Sequence, residues 1–414
     1  MYSTFIVSHF DTERIGEVMM NNGNWIGVWG QSHIHLSLFY YPEKERTYRL
    51  IVNSAVSGEK VRVRISNSYG KKSVRIKRIT IAPCDSNGKI SSAEQIKICT
   101  YKGEENITLS KGERIILDEV PMSFSANSYF CVSACVTDGD LRSGNLMNNA
   151  RLIFADGDCT EKLQMEHKPR QRDSVITFAG KVLKMPLHTP IPLFEDVEFY
   201  NTDNAKAVAV FGDSLSQQGF WTNAFEKRLR KEFSGKYTLI NKSIMGNRVL
   251  RDWSPQFILK GLYGKRATER IKDEILSYDG ISHCIIFLAT NDLIQYGSPD
   301  AFPWEKPDIN ELCGAFADMA DELHRKNIKV IVFTVPAFGA ADFSSHKKDA
   351  LRNELNSWIK ENANLFDSVF DVAELIADKS DKYYTSAELL GGDKMHINAL
   401  GGEKIAEAID LSMF

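Results

Sequence analysis

Ala207-Val208-Ala209-Val210-Phe211-Gly212-Asp213-Ser214 is a short apolar run that stops at a glycine, an aspartate and a serine. Just beyond it, Phe220, Trp221, Ala224, Phe225 and Leu229 fall on one helical face. A continuous apolar run that gives way to 3.6-residue spacing reads as a buried strand feeding a helix. The rhythm repeats downstream. Strands are expected near 237–240, 284–289, 330–335 and 369–370. Between them come helices carrying Ile309, Leu312, Phe316, Met319 and Leu323, then Leu351, Leu355 and Trp358. Such alternation predicts a mainly parallel sheet with helices on both faces. In sheets of this kind ligands bind beyond the carboxyl ends of the strands, so chemistry is expected there.

The chain before this run has a different period. Val61-Arg62-Val63-Arg64-Ile65-Ser66 alternates apolar and polar residues, and Ser73 to Ile81 does the same with a change of phase between Ile76 and Ile79. Period-2 alternation predicts strands with one face on a core, and the change of phase predicts a bulge or bend. Further short strands are expected at 106–109, 114–117, 128–136 and 174–179, which together suggest an all-β sandwich or jelly roll. Prolines at 186, 190 and 192 and the polar Asn201-Thr202-Asp203-Asn204 mark the change of region. The expected domains are therefore 1–195 and 196–414, and a length of 414 residues suits two cores better than one.

Three strand ends carry polar residues suited to acyl transfer. Ser214 follows Gly212 where a tight turn meets a helix N-terminus, which favours developing negative charge. Taken alone it reads equally well as a helix cap. The second strand leads into Ser243-Ile244-Met245-Gly246-Asn247-Arg248, and the third ends in Leu288-Ala289-Thr290-Asn291-Asp292. The amides of Ser214 and Gly246 and the side chain of Asn291 are candidate donors to the oxygen of a tetrahedral intermediate. A plain turn and a loop cap are the competing readings. Near the C-terminus, Asp393-Lys394-Met395-His396 spaces a carboxylate three residues before an imidazole. That step can let Asp393 hold the ring while His396 takes a proton from Ser214. A surface histidine beside a capping aspartate is the alternative.

Taken together, Ser214, Gly246, Asn291 and His396, in that order and with Asp393 before the histidine, resemble the marker residues of the GDSL or SGNH hydrolases. The N-terminal half also resembles the leading β domain of a bacterial two-domain subgroup, through Arg49-Leu50-Ile51-Val52, Val61 to Asn67 and Tyr69-Gly70. The resemblance implies a three-layer α/β/α catalytic domain, a Ser-His-Asp triad, no metal and no cofactor. It further implies a serine esterase acting on short acyl groups, acetyl on carbohydrate first among them. Readings from other classes are a lipase or lysophospholipase and a non-catalytic carbohydrate-binding protein. Two departures stand out. Ala289 occupies a position where the family usually has glycine, and Lys394 and Ile397 replace the glycine and proline of its last block. Added side chains there are expected to narrow or recharge the rim.

Other features bound the reading. Acids outnumber bases 54 to 51, for a net charge of −3, which gives no broad attraction for nucleic acid or membrane surface. The first twenty residues lack a basic region followed by an apolar run, and no apolar stretch reaches the length of a membrane helix. Seven cysteines without CxxC spacing argue against a disulfide framework or zinc site. A cytoplasmic, reducing setting is expected, although a chain that had lost a leader would read the same. Asp213 is read as a turn residue, and Asp292 as a brace for the loop presenting Asn291. Arg248 and Trp253 are candidates for lining the acyl or sugar site. His33 and His35 are a weak metal pair. The basic run from Lys60 to Lys77 reads as the solvated face of a sheet, with an acidic polysaccharide as the sharper alternative.

Overall fold

The computed structural model describes residues 23–36, 45–147, 149–168, 189–257 and 259–414, together with the backbone of 175–178 and 181–184. Within these, the alternation around Val61 becomes the strand Gly58–Ser66, central to an antiparallel sheet with Phe194–Asn201, Asn24–Gly30, Arg114–Ile116 and Val120–Phe124. A second antiparallel sheet is ordered Arg151–Asp156, Arg46–Asn53, Tyr129–Asp138, Val74–Cys84 and Lys97–Cys99, with Ile107–Leu109 alongside. Val61, Val63 and Ile65 from the first sheet meet Leu50, Val52, Phe130 and Val132 from the second in one buried cluster. The result is a sandwich. The phase change between Ile76 and Ile79 is a bulge: Cys135 pairs with Arg78 and Val136 with Ile76, so Lys77 has no opposite residue. The expected strand at 174–179 is present as Val175–Phe178, paired with Lys181–Lys184.

Phe194–Asn201 pairs on one side with Asn24–Gly30 and on the other with Gly58–Ser66. A division at 195/196 falls inside this strand, so the sandwich ends at Asn201 and residues 202–205 lead into the next sheet. Phe194, Val197 and Phe199 point into the sandwich core, which is why the prolines before them do not mark the end of the domain. The basic run is solvated at Lys71, Lys72, Arg75 and Lys77, as expected, but not at Arg62 and Arg64. Arg62 bonds Glu198 at 2.6 Å, and Arg64 lies 3.5 Å from Asp196 and over the Tyr278 ring at 4.9 Å. These side chains are largely buried against acidic partners, not solvated.

The C-terminal half is a five-stranded parallel sheet ordered Tyr237–Asn241, Lys206–Gly212, Ile281–Phe287, Lys329–Phe333 and Ser368–Phe370. Alternate residues face opposite layers. Val208, Val210, Ile285 and Phe333 pack on Trp221, Phe225, Leu229 and Ile405. Ala207, Ala209, Phe211, Ile286 and Val332 pack on Ile271, Leu312, Phe316, Met319 and Leu355. This is the expected three-layer arrangement, and the second layer is continuous with the sandwich core. Strand order reverses on either side of Lys206–Gly212, and such a reversal opens a crevice at the strand's carboxyl end. No helix among the described residues is long and apolar enough to cross a membrane.

Candidate active site

Ser214 sits at the crevice, as the first residue of the short helix Ser214–Gln217. Asp213 caps that helix by accepting the Leu215 amide at 3.0 Å, the turn role expected from sequence. Burial pushes its carboxyl up to about 7. Ser214 itself is 6% exposed, and its Oγ lies 2.8 Å from His396 Nε2. His396 Nδ1 is 2.6 Å from Asp393 Oδ2. The other Asp393 oxygen accepts the amides of Met395 and His396 at 3.0 and 2.9 Å. The hydrogen bond with the imidazole holds the Asp393 carboxyl well below the usual carboxylate range. Aspartate, imidazole and hydroxyl thus form one hydrogen-bonded chain, geometry that allows a serine proton to pass to histidine.

Gly246 and Asn291 line the same cavity of about 250 Å³ as Ser214, Asp393 and His396. The Ser214 and Gly246 amides have no acceptor among the described residues. Asn291 Nδ2 contacts Asp213 Oδ2 at 3.3 Å, leaving its second hydrogen for the cavity. Gly246 has a φ of 68°, and a Cβ there would come within 2.1 Å of the Tyr263 ring. The ring is held from behind by Phe257, stacked at 4.1 Å. Only glycine fits beneath it.

The structure adds residues that no motif marks. Gln295 donates to Gly246 O at 2.9 Å and to Asn291 Oδ1 at 3.1 Å, tying two strand ends together. It lies four residues after Asn291 on one helical face, the spacing that signals such pairs. Arg270, also buried, bonds Asn247 Oδ1 at 3.0 Å, Lys242 O at 2.8 Å and Gly212 O at 3.3 Å. From the sandwich, Asn145 donates to Ser243 O at 3.1 Å and accepts Gln217 Nε2 at 2.7 Å. The Ser214 helix therefore rests partly on the other domain.

Asp292 ties the segment that carries Asn291 to another strand end. Its two oxygens accept the amides of Val249 and Leu250 at 2.8 and 3.2 Å, fixing the loop after Gly246. Burial lifts its carboxyl to about 6. Arg248 and Trp253 lie outside the Ser214 cavity. Arg248 is bound to Glu305 at 2.9 Å and lines a second cleft with Trp253. His33 and His35 do not converge: one ring contacts Phe194 O at 2.9 Å, the other Lys260 O at 3.1 Å. Among the described residues, Glu45, Cys135 and Asp158 form a group with metal-ligand spacing. The Lys77 ammonium sits against its two carboxylates at 3.1 and 3.3 Å.

Ala289 and Lys394, where the family has glycine, keep left-handed backbones with φ of 84° and 59°. Ala289 is buried at the position just before the helix Thr290–Ile294, while Lys394 is exposed.

Comparison with solved structures gives similarity to a GDSL-like lipase from Bacteroides thetaiotaomicron VPI-5482, 14% identical, covering 50% of this chain and 87% of that one, with a TM-score of 0.37. The acetyl xylan esterase AlAXEase is 22% identical, with coverages of 49% and 96% and a TM-score of 0.36. The esterase EstA from Pseudoalteromonas sp. is 19% identical, with coverages of 50% and 93% and a TM-score of 0.34. A comparison with curated proteins gives no match. Residues 210–404 match the GDSL-like Lipase/Acylhydrolase family. That segment, which holds Ser214, Gly246, Asn291, Asp393 and His396, is a GDSL-like lipase/acylhydrolase domain within the chain.

Proposed function

We propose that the protein is a serine esterase that removes short acyl groups, acetyl first among them, from carbohydrate esters. The observation that carries the chemistry is the 2.8 Å contact between Ser214 Oγ and His396 Nε2, with Asp393 2.6 Å behind the ring. Ser214 attacks the ester carbonyl while His396 Nε2 takes its proton. Asp393 keeps the ring in the tautomer with hydrogen on Nδ1 and stabilises the imidazolium that forms. The carbonyl oxygen, now negative, is held by the amides of Ser214 and Gly246 and by Asn291 Nδ2. His396 then returns the proton to the leaving alcohol. Water, activated by the same imidazole, releases the acid and restores Ser214.

The short-acyl preference is supported by the size of the cavity. About 250 Å³ lies below the range of roughly 300–1,000 Å³ usual for sites that enclose larger ligands. A lipid esterase would need more enclosed apolar space beside Ser214. The test compares the wild type with Ser214→Ala on p-nitrophenyl esters from acetyl to palmitoyl. Turnover that peaks at acetyl and drops by at least about 1,000-fold in the variant is expected. A rate that rises with chain length would instead favour a lipase, and variant activity equal to wild type would remove Ser214 from the mechanism.

A further inference from the structure

A second cleft of about 550 Å³ is lined among others by Arg248, Arg251, Trp253, Arg266, Phe302 and Trp304, none of which lines the catalytic cavity. Three chain segments build both spaces. Met245 and Gly246 face the cavity and Arg248 the cleft. Tyr263 faces the cavity and Arg266 the cleft. Ser298 and Asp300 face the cavity, and Phe302 and Trp304 the cleft. Along these three segments the lining of the cleft begins two or three positions after that of the cavity.

Trp304 is 73% exposed, yet its ring lies parallel to Phe302, with centroids 4.2 Å apart and planes 12° apart. One face of the indole is covered and the other is open. The segment is also fixed: Glu305 accepts the Phe302 amide at 3.0 Å, binds the buried Arg248 at 2.9 Å and takes the Ser254 hydroxyl. A rigid, open aromatic face loses little entropy on binding, unlike a mobile surface tryptophan. Beside it, Arg251 is exposed and has no ion-pair or hydrogen-bond partner among the described residues, leaving its donors free for ligand oxygens.

We propose that this cleft is a subsite for the alcohol portion of the substrate, in which a sugar ring stacks on the open face of Trp304 while Arg251 donates to its oxygens. The placement rests on the esterase reading of Ser214. An acyl group beside Ser214 would leave the attached glycan running along these segments toward Trp304. A small aryl ester would not reach it.

The test uses the full-length protein, with p-nitrophenyl acetate as the short probe. Acetylated xylo-, manno- and galacturono-oligosaccharides serve as long probes. Trp304→Ala and Arg251→Ala should leave kcat/KM on p-nitrophenyl acetate unchanged and lower it about 5- to 10-fold on at least one oligosaccharide. Intrinsic fluorescence of Ser214→Ala protein, titrated with that oligosaccharide, should show binding that weakens when Trp304→Ala is added. Equal losses on long and short probes, or no turnover of any of the three oligosaccharides, would overturn the subsite. If Ser214→Ala fails to abolish hydrolysis of p-nitrophenyl acetate, the esterase reading itself has failed. Full dependence on Ser214 without any Trp304 effect sinks the cleft alone.

Discussion

Two positions beside the site hold left-handed torsion angles without a glycine, Ala289 at 84° and Lys394 at 59°. An L-residue there costs about 1–2 kcal/mol against a helical or extended one. Lys394 is exposed, so Lys394→Gly removes that strain and loses only chain entropy; a gain of about 0.5–1 kcal/mol is expected in urea unfolding. Ala289 is buried, and Ala289→Gly gives back about 0.8 kcal/mol with its methyl, so its midpoint should hardly move. The sequence shows both departures but not their consequence. Side chains added to the rim were the expected effect, whereas the structure locates the effect in the backbone. Ser214, Asp393 and His396 are legible beforehand because each stands at a strand end or in a tight turn. Gln295, Arg270 and Asn145 are not, because a buried amide or guanidinium without a motif looks like any other polar residue until its partners are placed.

Strands and helices follow hydrophobic period closely here, and even the Lys77 bulge is visible as a slip of phase. The end of the sandwich is less legible, since Phe194–Asn201 has few turn signals and its pairing depends on strands far away in sequence. The loop between Phe333 and the helix His346–Glu361 shows what period cannot convey. Its Phe343 has a φ of 62°, rare for a bulky residue, and stands half-exposed at the cavity mouth. Lys348, buried on that helix, donates to Phe343 O at 2.8 Å and to Ile294 O at 2.7 Å, so one ammonium joins the loop to the helix of Asn291. Burial holds that ammonium below the usual lysine range. Lys348→Met should leave both carbonyls unpaired and cost about 2–3 kcal/mol in thermal or urea unfolding. It should also raise KM for acyl esters as the Phe343 loop loosens. A variant as stable as wild type with unchanged KM would refute this role.

The two domains are joined through charge as well as apolar surface. Lys242, from the segment after Tyr237–Asn241, is fully buried 2.5 Å from Asp196 on the last sandwich strand. Its ammonium also reaches Gln31 O at 3.1 Å and Tyr278 Oη at 3.2 Å. Removing one member of a buried pair costs about 3–5 kcal/mol when the other is left alone, but Asp196 keeps Arg64 at 3.5 Å and the Tyr278 hydroxyl. Lys242→Met should therefore lower stability by less than about 3 kcal/mol, and circular dichroism and tryptophan fluorescence should still report a single shared transition, because the apolar core runs through both domains. Two separated transitions would mean that the sandwich and the α/β layers fold independently. The Asn145 amide, lodged between Ser243 and Gln217, carries this union to the chemistry. Chimeras that graft this hydrolase half onto a foreign β module inherit a nucleophile missing one of its buttresses, unless the donor offers an amide at the same spot.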